Sequence, residues 1–304
     1  METQVKISII MVDAGFRENV YSAEHFSNQT FDDKEYEIIW VEFYDKPNIK
    51  LKNIPRLKTI TLARTGKYHS SFCFNKGIEV AKGELIVIPD ADLFVKPNFL
   101  ETLWKNYLRY PDAVQYIYRF DEIKKGSLSN LSWEELEKKC SLINPNNYGG
   151  CLSVKKKWLI AINGYEMHPI FESGFHANGL DIYTRFKIIG LPIRWNPELK
   201  AFHIWHSSTR VNSKLYEIQK QFISYRARTL KYRAIMGINP MLNDESGYLE
   251  KFANKLIKTD KKSFVLMLKK LKKGKKYFVL MLKKLKKGKK YFARKLKKLM
   301  FVVK

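Results

Sequence analysis

The sequence predicts an α/β fold with a mostly parallel central sheet. Short runs rich in β-branched residues recur from Val5 to Pro89, stretches with helical spacing separate them, and a glycine stands where one of those helices has to stop. That alternation is the pattern of strand–helix–strand units.

Val5 to Val12 is apolar along most of its length and reads as a buried strand. A helical stretch around Val20 to Ser27 leads to a second strand, Tyr36 to Phe43 (YEIIWVEF), and Leu57 to Leu62 is a third. Phe72 to Ala81 has helical spacing, and Lys82-Gly83 closes it as a C-cap glycine would. Glu84 to Pro89 (ELIVIP) is then a fourth strand. From Pro111 the pattern loosens. Asn144 to Gly150 is a loop, Cys151 to Val154 a strand, and Lys156 to Asn163 a short helix ended by Gly164. Ser173 to Gly179 reads as a mobile loop, and Leu180 to Ile189 as a helix stopped by Gly190. Val211 to Met241 looks helical, with a linker at Asn243 to Gly247. The expected organisation is one domain over 1–210, a helical extension and linker over 211–260, and a tail over 261–304.

Charge separates the tail from the rest. The chain has 304 residues and a formal net charge of +26. Residues 261–304 hold 19 Lys and Arg and no Asp or Glu, which leaves 37 basic and 30 acidic residues before them, a net of +7. The high pI thus describes an appendage. Cys73, Cys140 and Cys151 match no zinc or disulfide spacing and read as reduced structural thiols of a cytoplasmic protein. The N-terminal METQVKISII lacks the layout of a secretory signal, and no apolar run approaches the ~20 residues of a membrane-spanning helix.

Ligands of such sheets sit beyond the carboxyl ends of the strands, which gathers Asp13, Glu42 and Asp90-Ala91-Asp92 on one rim. Asp90 and Asp92 follow a buried strand and can both reach a divalent cation, Mn²⁺ or Mg²⁺, that also takes phosphate oxygens. An acidic pair of this kind is common on solvated loops; its position directly after ELIVIP is what favours the functional reading. Arg64, Lys67, His69 and Lys76 lie between the third strand and the aspartates, and Arg64 is the best placed to meet a pyrophosphate.

NKGIEVAKGELIVIPDADLFVKPNFLE, from Asn75 to Glu101, resembles the central motif of family 2 glycosyltransferases. So do NQT with YEIIWVE, between Asn28 and Glu42, and further on Tyr148-Gly149-Gly150 and Asn163-Gly164-Tyr165-Glu166. The resemblance runs from about Lys6 to Arg210. It implies a GT-A fold, Rossmann-like with helices flanking the sheet, a nucleoside-diphosphate sugar donor, a divalent metal, and inversion at the anomeric carbon. By that resemblance Asp90 contacts ribose or metal, Asp92 is the metal ligand proper, and Glu42 stands where the family has an aspartate touching the nucleoside, with Asp13 in a similar place.

His203-Ile204-Trp205-His206 resembles the late His-x-x-His of a GT-A subgroup that includes galactosyl- and N-acetylgalactosaminyltransferases. His206 is the favoured metal ligand and His203 the second; the competing reading is a pair of half-buried, hydrogen-bonded histidines. One departure bears on catalysis. The subgroup carries a Glu-Asp pair before Asp-Leu-x-x-Arg, and the aspartate of the pair is the general base. Here the pair is Asn178-Gly179, followed by Leu180-Asp181-Ile182-Tyr183-Thr184-Arg185. An inverting transfer needs a base within reach of the acceptor hydroxyl. Asp181 and Glu172 are equal candidates, with His176 behind them; Asp181 as an anchor for Arg185 is the alternative.

The tail repeats FVLMLKKLKKGKKY from Phe264 to Tyr277 and again from Phe278 to Tyr291. A period of 14 residues is about four helical turns, so Phe264, Leu268, Leu271 and their repeats share one face and the lysines the other. Gly274 and Gly288 each lower helix propensity by ~1 kcal/mol. Such an amphipathic basic helix suits an anionic membrane surface. The expectation is a peripheral enzyme on the cytoplasmic face of the inner membrane, passing a sugar, UDP-linked by the family resemblance, to a lipid-linked or surface-glycan acceptor. Two rival readings are a catalytically impaired GT-A domain that binds sugar nucleotide or glycan, and a basic-tailed nucleic-acid-binding protein. The second lacks base-reading motifs and carries acids that repel phosphate.

Overall fold

The structure, a computed structural model, describes residues 4–15, 19–45, 51, 53–128, 131–172, 176–206 and 213–258. The expected amphipathic tail at 261–304 lies outside the described residues. Met1–Ala253 form one compact unit and Asn254–Lys304 a second, of which 254–258 are described and helical.

The first unit is built on a nine-stranded sheet. Its strands are β1 (Ile7–Asp13), β2 (Tyr36–Glu42), β3 (Leu57–Thr61), β4 (Leu85–Pro89), β5 (Leu93–Phe94), β6 (Val114–Glu122), β7 (Cys140–Ser141), β8 (Cys151–Lys155) and β9 (Ile193–His203). The order is β3-β2-β1-β4-β8-β6-β9-β5, with β7 paired to β6. β3, β2, β1 and β4 are parallel. β8 runs against both β4 and β6, and β9 runs with β6. The carboxyl ends of β1, β2, β3, β4, β6 and β9 therefore open on one rim.

Alternation along β1 builds two apolar layers. Ile7, Ile9 and Met11 face Ala23 and Phe26 of α1 (Tyr21–Ser27) and Leu100 and Leu103 of α3 (Phe99–Arg109). Ile10 and Val12 face Cys73 and Ile78 of α2 (Ser70–Val80), Leu159 of α5 (Lys156–Ala161), and Ile182 and Phe186 of α6 (His176–Ile188). Further helices are α4 (Trp133–Lys139) and α7 (Ser213–Arg228), with short 3₁₀ turns at Pro169–Phe171 and Pro240–Leu242, and residues 248–258 are helical too. This is the α/β layout with a mostly parallel sheet that the sequence predicts.

Four local expectations change. The α2 helix starts at Ser70 and its C-cap is Ala81, so Gly83 closes nothing; a Cβ there would stand 2.5 Å from the Ser8 backbone nitrogen, and the glycine serves that close approach. The expected loop at Ser173–Gly179 is already α6 from His176, which puts Asn178 and Gly179 in its first turn; 173–175 lie outside the described residues. The expected helix Val211–Met241 stops at Arg228: Leu230 takes a φ of 53°, and the Lys231 N–H returns to the Arg226 carbonyl, the closing bond of a Schellman turn. The expected linker is tied down, because Asn243 Oδ1 accepts from Asn163 Nδ2 and Gly237 N, and the Asp244 N–H donates to the Ala234 carbonyl.

Candidate active site

The chain leaves β4 at Pro89 and turns through Asp90-Ala91-Asp92 before β5. Ser22 of α1 pins this turn: its hydroxyl donates to the Asp90 carbonyl at 2.5 Å and accepts from the Leu93 N–H at 2.8 Å. β5 then pairs antiparallel with β9, Leu93 opposite His203, and that register carries a late histidine to an early aspartate. His206 Nε2 lies 3.2 Å from Asp92 Oδ2, His203 Nε2 lies 3.8 Å from the same oxygen, and the two Nε2 atoms are 3.2 Å apart. Three ligands about 2.1 Å from one ion and about 90–120° apart would span roughly 3.0–3.6 Å; two sides of the triangle fall in that range and the third, at 3.8 Å, lies just beyond it. All three side chains offer a ligand atom within 4.8 Å of the others. Asp90 does not join them; its carboxylate meets Arg119 at 3.1 Å.

Two residues of β6 complete this corner and were not legible in the sequence. Asp121 Oδ1 holds His203 Nδ1 at 2.9 Å, and Arg119 joins Asp121 at 3.0 Å to Asp90. A carboxylate behind a ligating imidazole fixes its orientation and raises its basicity. Burial resists a charge on His203, but Asp121 and Asp92 outweigh it and raise its pKa to about 9. Burial likewise resists ionisation of Asp121, and His203 and Arg119 outweigh it, so its carboxyl lies below the usual range. The signal that was available is the alternation in YRFDE, which puts Arg119 and Asp121 on one face of a strand.

Asp13 and Glu42 are register partners at the ends of β1 and β2, both buried. Trp40, on the same face of β2, donates its indole N–H to Glu42 Oε1 at 2.8 Å. Arg64 follows β3; its guanidinium carbon lies 3.8 Å from the Phe72 ring centre, and its backbone N–H donates to the Phe43 carbonyl. These groups stand on the same rim as the Asp90–Asp92 turn.

The base candidates are placed differently. Asp181 is 1% exposed, 3.3 Å from Arg185 Nη1 and 3.1 Å from Arg226 Nε. Glu166 joins the cluster through Arg226 at 2.7 Å and accepts from the Ile235 and Met236 backbone. Burial lowers the pKa of Arg185 to about 10 against the pull of Asp181. Asp181 thus sits between two guanidiniums of α6 and α7, the arrangement that the anchor reading expects. Glu172 is half-exposed and paired with Lys67 at 3.2 Å. The side chain of His176 lies outside the described residues. Asn178 Nδ2 donates to Ser70 Oγ at 2.7 Å. Lys76 pairs with Glu79 of its own helix.

Residues 28–162 match the family model for glycosyl transferase family 2. The match spans 135 of the 304 residues and marks this segment as similar to that family. Solved structures extend the likeness across most of the chain. S. aureus TarS 1–349 is 13% identical, with a TM-score of 0.51, 73% of this chain covered and 65% of that one. The same TarS segment in complex with UDP is 13% identical, with a TM-score of 0.54, 83% of this chain covered and 71% of that one. The chain spans less than two thirds of the first of these. At such identity the likeness establishes the fold alone, which is of the GT-A type. No curated protein sequence matches the chain.

Proposed function

We propose that the chain transfers a sugar from a nucleoside-diphosphate sugar to a glycan or glycolipid acceptor, with inversion at the anomeric carbon. The observation that carries this reading is the Asp92, His203 and His206 triangle on the rim where Asp13 and Glu42 also end. The family 2 match supports transfer, and the UDP-bound relative of the same fold supports UDP as the nucleotide. Asp13 and Glu42 would receive the nucleoside, and Arg64 the pyrophosphate. Mn²⁺ or Mg²⁺, held by Asp92, His206 and His203, would neutralise the diphosphate as it leaves; two imidazoles favour Mn²⁺ over Mg²⁺. Asp90 would act from behind, through Arg119, or touch ribose.

The polycationic tail supports a site of action at an anionic membrane surface, on the cytoplasmic face. No helix among the described residues is long and apolar enough to cross a membrane. A second reading, a domain that binds sugar nucleotide without transferring, is favoured by one observation: Asn178-Gly179 replaces the acidic pair, and Gly179 has no room for a side chain. A thermal-shift screen of nucleotide sugars with Mn²⁺, followed by assays of UDP release, separates the two. Stabilisation with turnover supports transfer, stabilisation alone supports the second reading, and neither removes both.

A further inference from the structure

Resting on the cation-site reading, we propose that Glu122 is a positioning residue of that site: its carboxylate ties the segment carrying His206 to the turn at 123–128, so that cation binding and the order of that turn are coupled. Glu122 is the last residue of β6, on the rim. The pairing of β6 with β9 ends at Asp121 opposite His203, so Ile204, Trp205 and His206 run on past the sheet. The place of His206 therefore depends on bonds made beyond the strand ladder. One of them is the Trp205 N–H, which donates to Glu122 Oε2 at 3.0 Å. Alternation puts Asp121 and Glu122 on opposite faces of β6. The first holds the His203 ring, and the second holds the backbone next to His206.

The other carboxylate oxygen serves the turn. Oε1 accepts from the Ser127 N–H at 2.6 Å, the Ser127 hydroxyl at 3.1 Å and the Leu128 N–H at 3.2 Å. Glu122 is 6% exposed. Burial resists its charge, but the N–H groups of Trp205, Ser127 and Leu128 outweigh it and hold the carboxyl below the usual range, so both oxygens are acceptors at pH 7.

Two further contacts join the same two segments. The Lys125 ammonium lies 3.3 Å from the centre of the Trp205 ring. Leu128 of the turn and Ile204 of the histidine segment both pack on the cluster of Phe94, Leu136, Cys140 and Phe202. Phe94 and Phe202 are the register pair beside Leu93 and His203, so this cluster also underlies the strand pairing that brings His203 to Asp92. No residue of 123–128 belongs to the Asp92, His203 and His206 triangle. A cation that fixes His206 fixes Trp205 beside it, and the shared carboxylate passes that order to the turn. Linkage makes the effect reciprocal: a turn held by Glu122 favours the cation.

The test uses the full chain and Mn²⁺ alone. Glu122→Gln keeps the length of the side chain but has one acceptor oxygen for donors on two sides, and its amide group meets an N–H on the other. By calorimetry, Mn²⁺ affinity should fall roughly 10-fold or more, the usual effect of losing a group that orients a ligand. A variant that unfolds at a lower temperature yet binds Mn²⁺ within about 2-fold of wild type overturns the proposal, because Glu122 then serves the fold alone. Hydrogen exchange of the wild type, read by mass spectrometry, needs no variant and decides the matter should Glu122→Gln fail to fold. Saturating Mn²⁺ should slow exchange in 123–128 as well as in 204–206, although the turn supplies no ligand. Slowing confined to 204–206, or absent from both, overturns the coupling while the cation site stands. A wild-type chain that binds no Mn²⁺ overturns the cation site itself and the proposal with it.

Discussion

Gly179, in the first turn of α6, lies directly against Tyr148: a Cβ on it would stand 2.6 Å from the Tyr148 carbonyl carbon and oxygen. Tyr148 in turn stacks on Tyr183, one helical turn further along α6, with ring centres 4.1 Å apart. The loop beside the aspartates is thereby seated on the helix that carries Asn178-Gly179.

Placing an aspartate at position 179 should not supply a base. Gly179→Asp forces the Tyr148–Gly150 loop off α6, and overpacking of this kind costs about 1–3 kcal/mol. Gly179→Ala should cost a similar amount without adding charge. Thermal unfolding of both variants checks this. A Gly179→Asp chain with wild-type stability and raised turnover would show that the site is open after all.

Cation binding should depend on pH through His203. With its pKa raised to about 9 by Asp121 and Asp92, the ring is protonated at pH 7, and a cation must displace that proton. Mn²⁺ affinity should rise by up to about 10-fold per pH unit between pH 7 and 9, then level off. Asp121→Asn should move this rise to lower pH. In the absence of cation the sign is opposite: a raised pKa contributes stability that is complete below pH 6.5 and lost as pH climbs through about 9. Calorimetric titrations across this range check both; an affinity flat from pH 7 to 9 would remove His203 from the site.

The α7 helix should be needed for folding of residues before it. Arg226 is fully buried and neutralises Glu166 and Asp181, and breaking such a pair costs about 3–5 kcal/mol. Arg226→Met should lower stability by that order in urea unfolding, and Arg226→Met with Glu166→Gln should cost less than the two single changes added. A chain ending at residue 210 should be insoluble; a stable, cooperatively unfolding 1–210 chain would contradict this.

What was legible in the sequence follows from where the information lies. β1, β2, β4 and β8 are read from their own apolar residues, because each is a short buried run. β6 and β9 are harder: Arg119, Asp121 and Glu122 break the apolar pattern of one, and β9 shifts register opposite Ile117 and Tyr118. The Asp92–His206 approach was legible as a motif, whereas Asp121 and Arg119 become partners only through strand pairing. Asn178-Gly179 reads as a turn by composition, and packing against Tyr148 makes it helix. Arg226 and Glu166 are 60 residues apart, and nothing local announces the pair.

The tail and the site should separate. Removing 261–304 deletes 19 basic residues and none of the proposed site residues. Binding to anionic vesicles should fall steeply, and UDP release in solution should stay within about 2-fold, since the deleted charges act on the surface. Co-sedimentation at two salt concentrations checks this; equal binding to neutral and anionic vesicles would contradict the electrostatic part.

The site's central claim is that Asp92, His203 and His206 hold the cation that joins nucleotide to protein. Calorimetric titration of UDP into the full chain, with and without Mn²⁺, for wild type and Asp92→Asn, tests it directly. Wild type should bind UDP at least about 10-fold more tightly with Mn²⁺, and Asp92→Asn should lose that gain while unfolding at the same temperature within about 2 °C. UDP binding that ignores Mn²⁺ in wild type, or that responds to it unchanged in Asp92→Asn, would contradict the assignment.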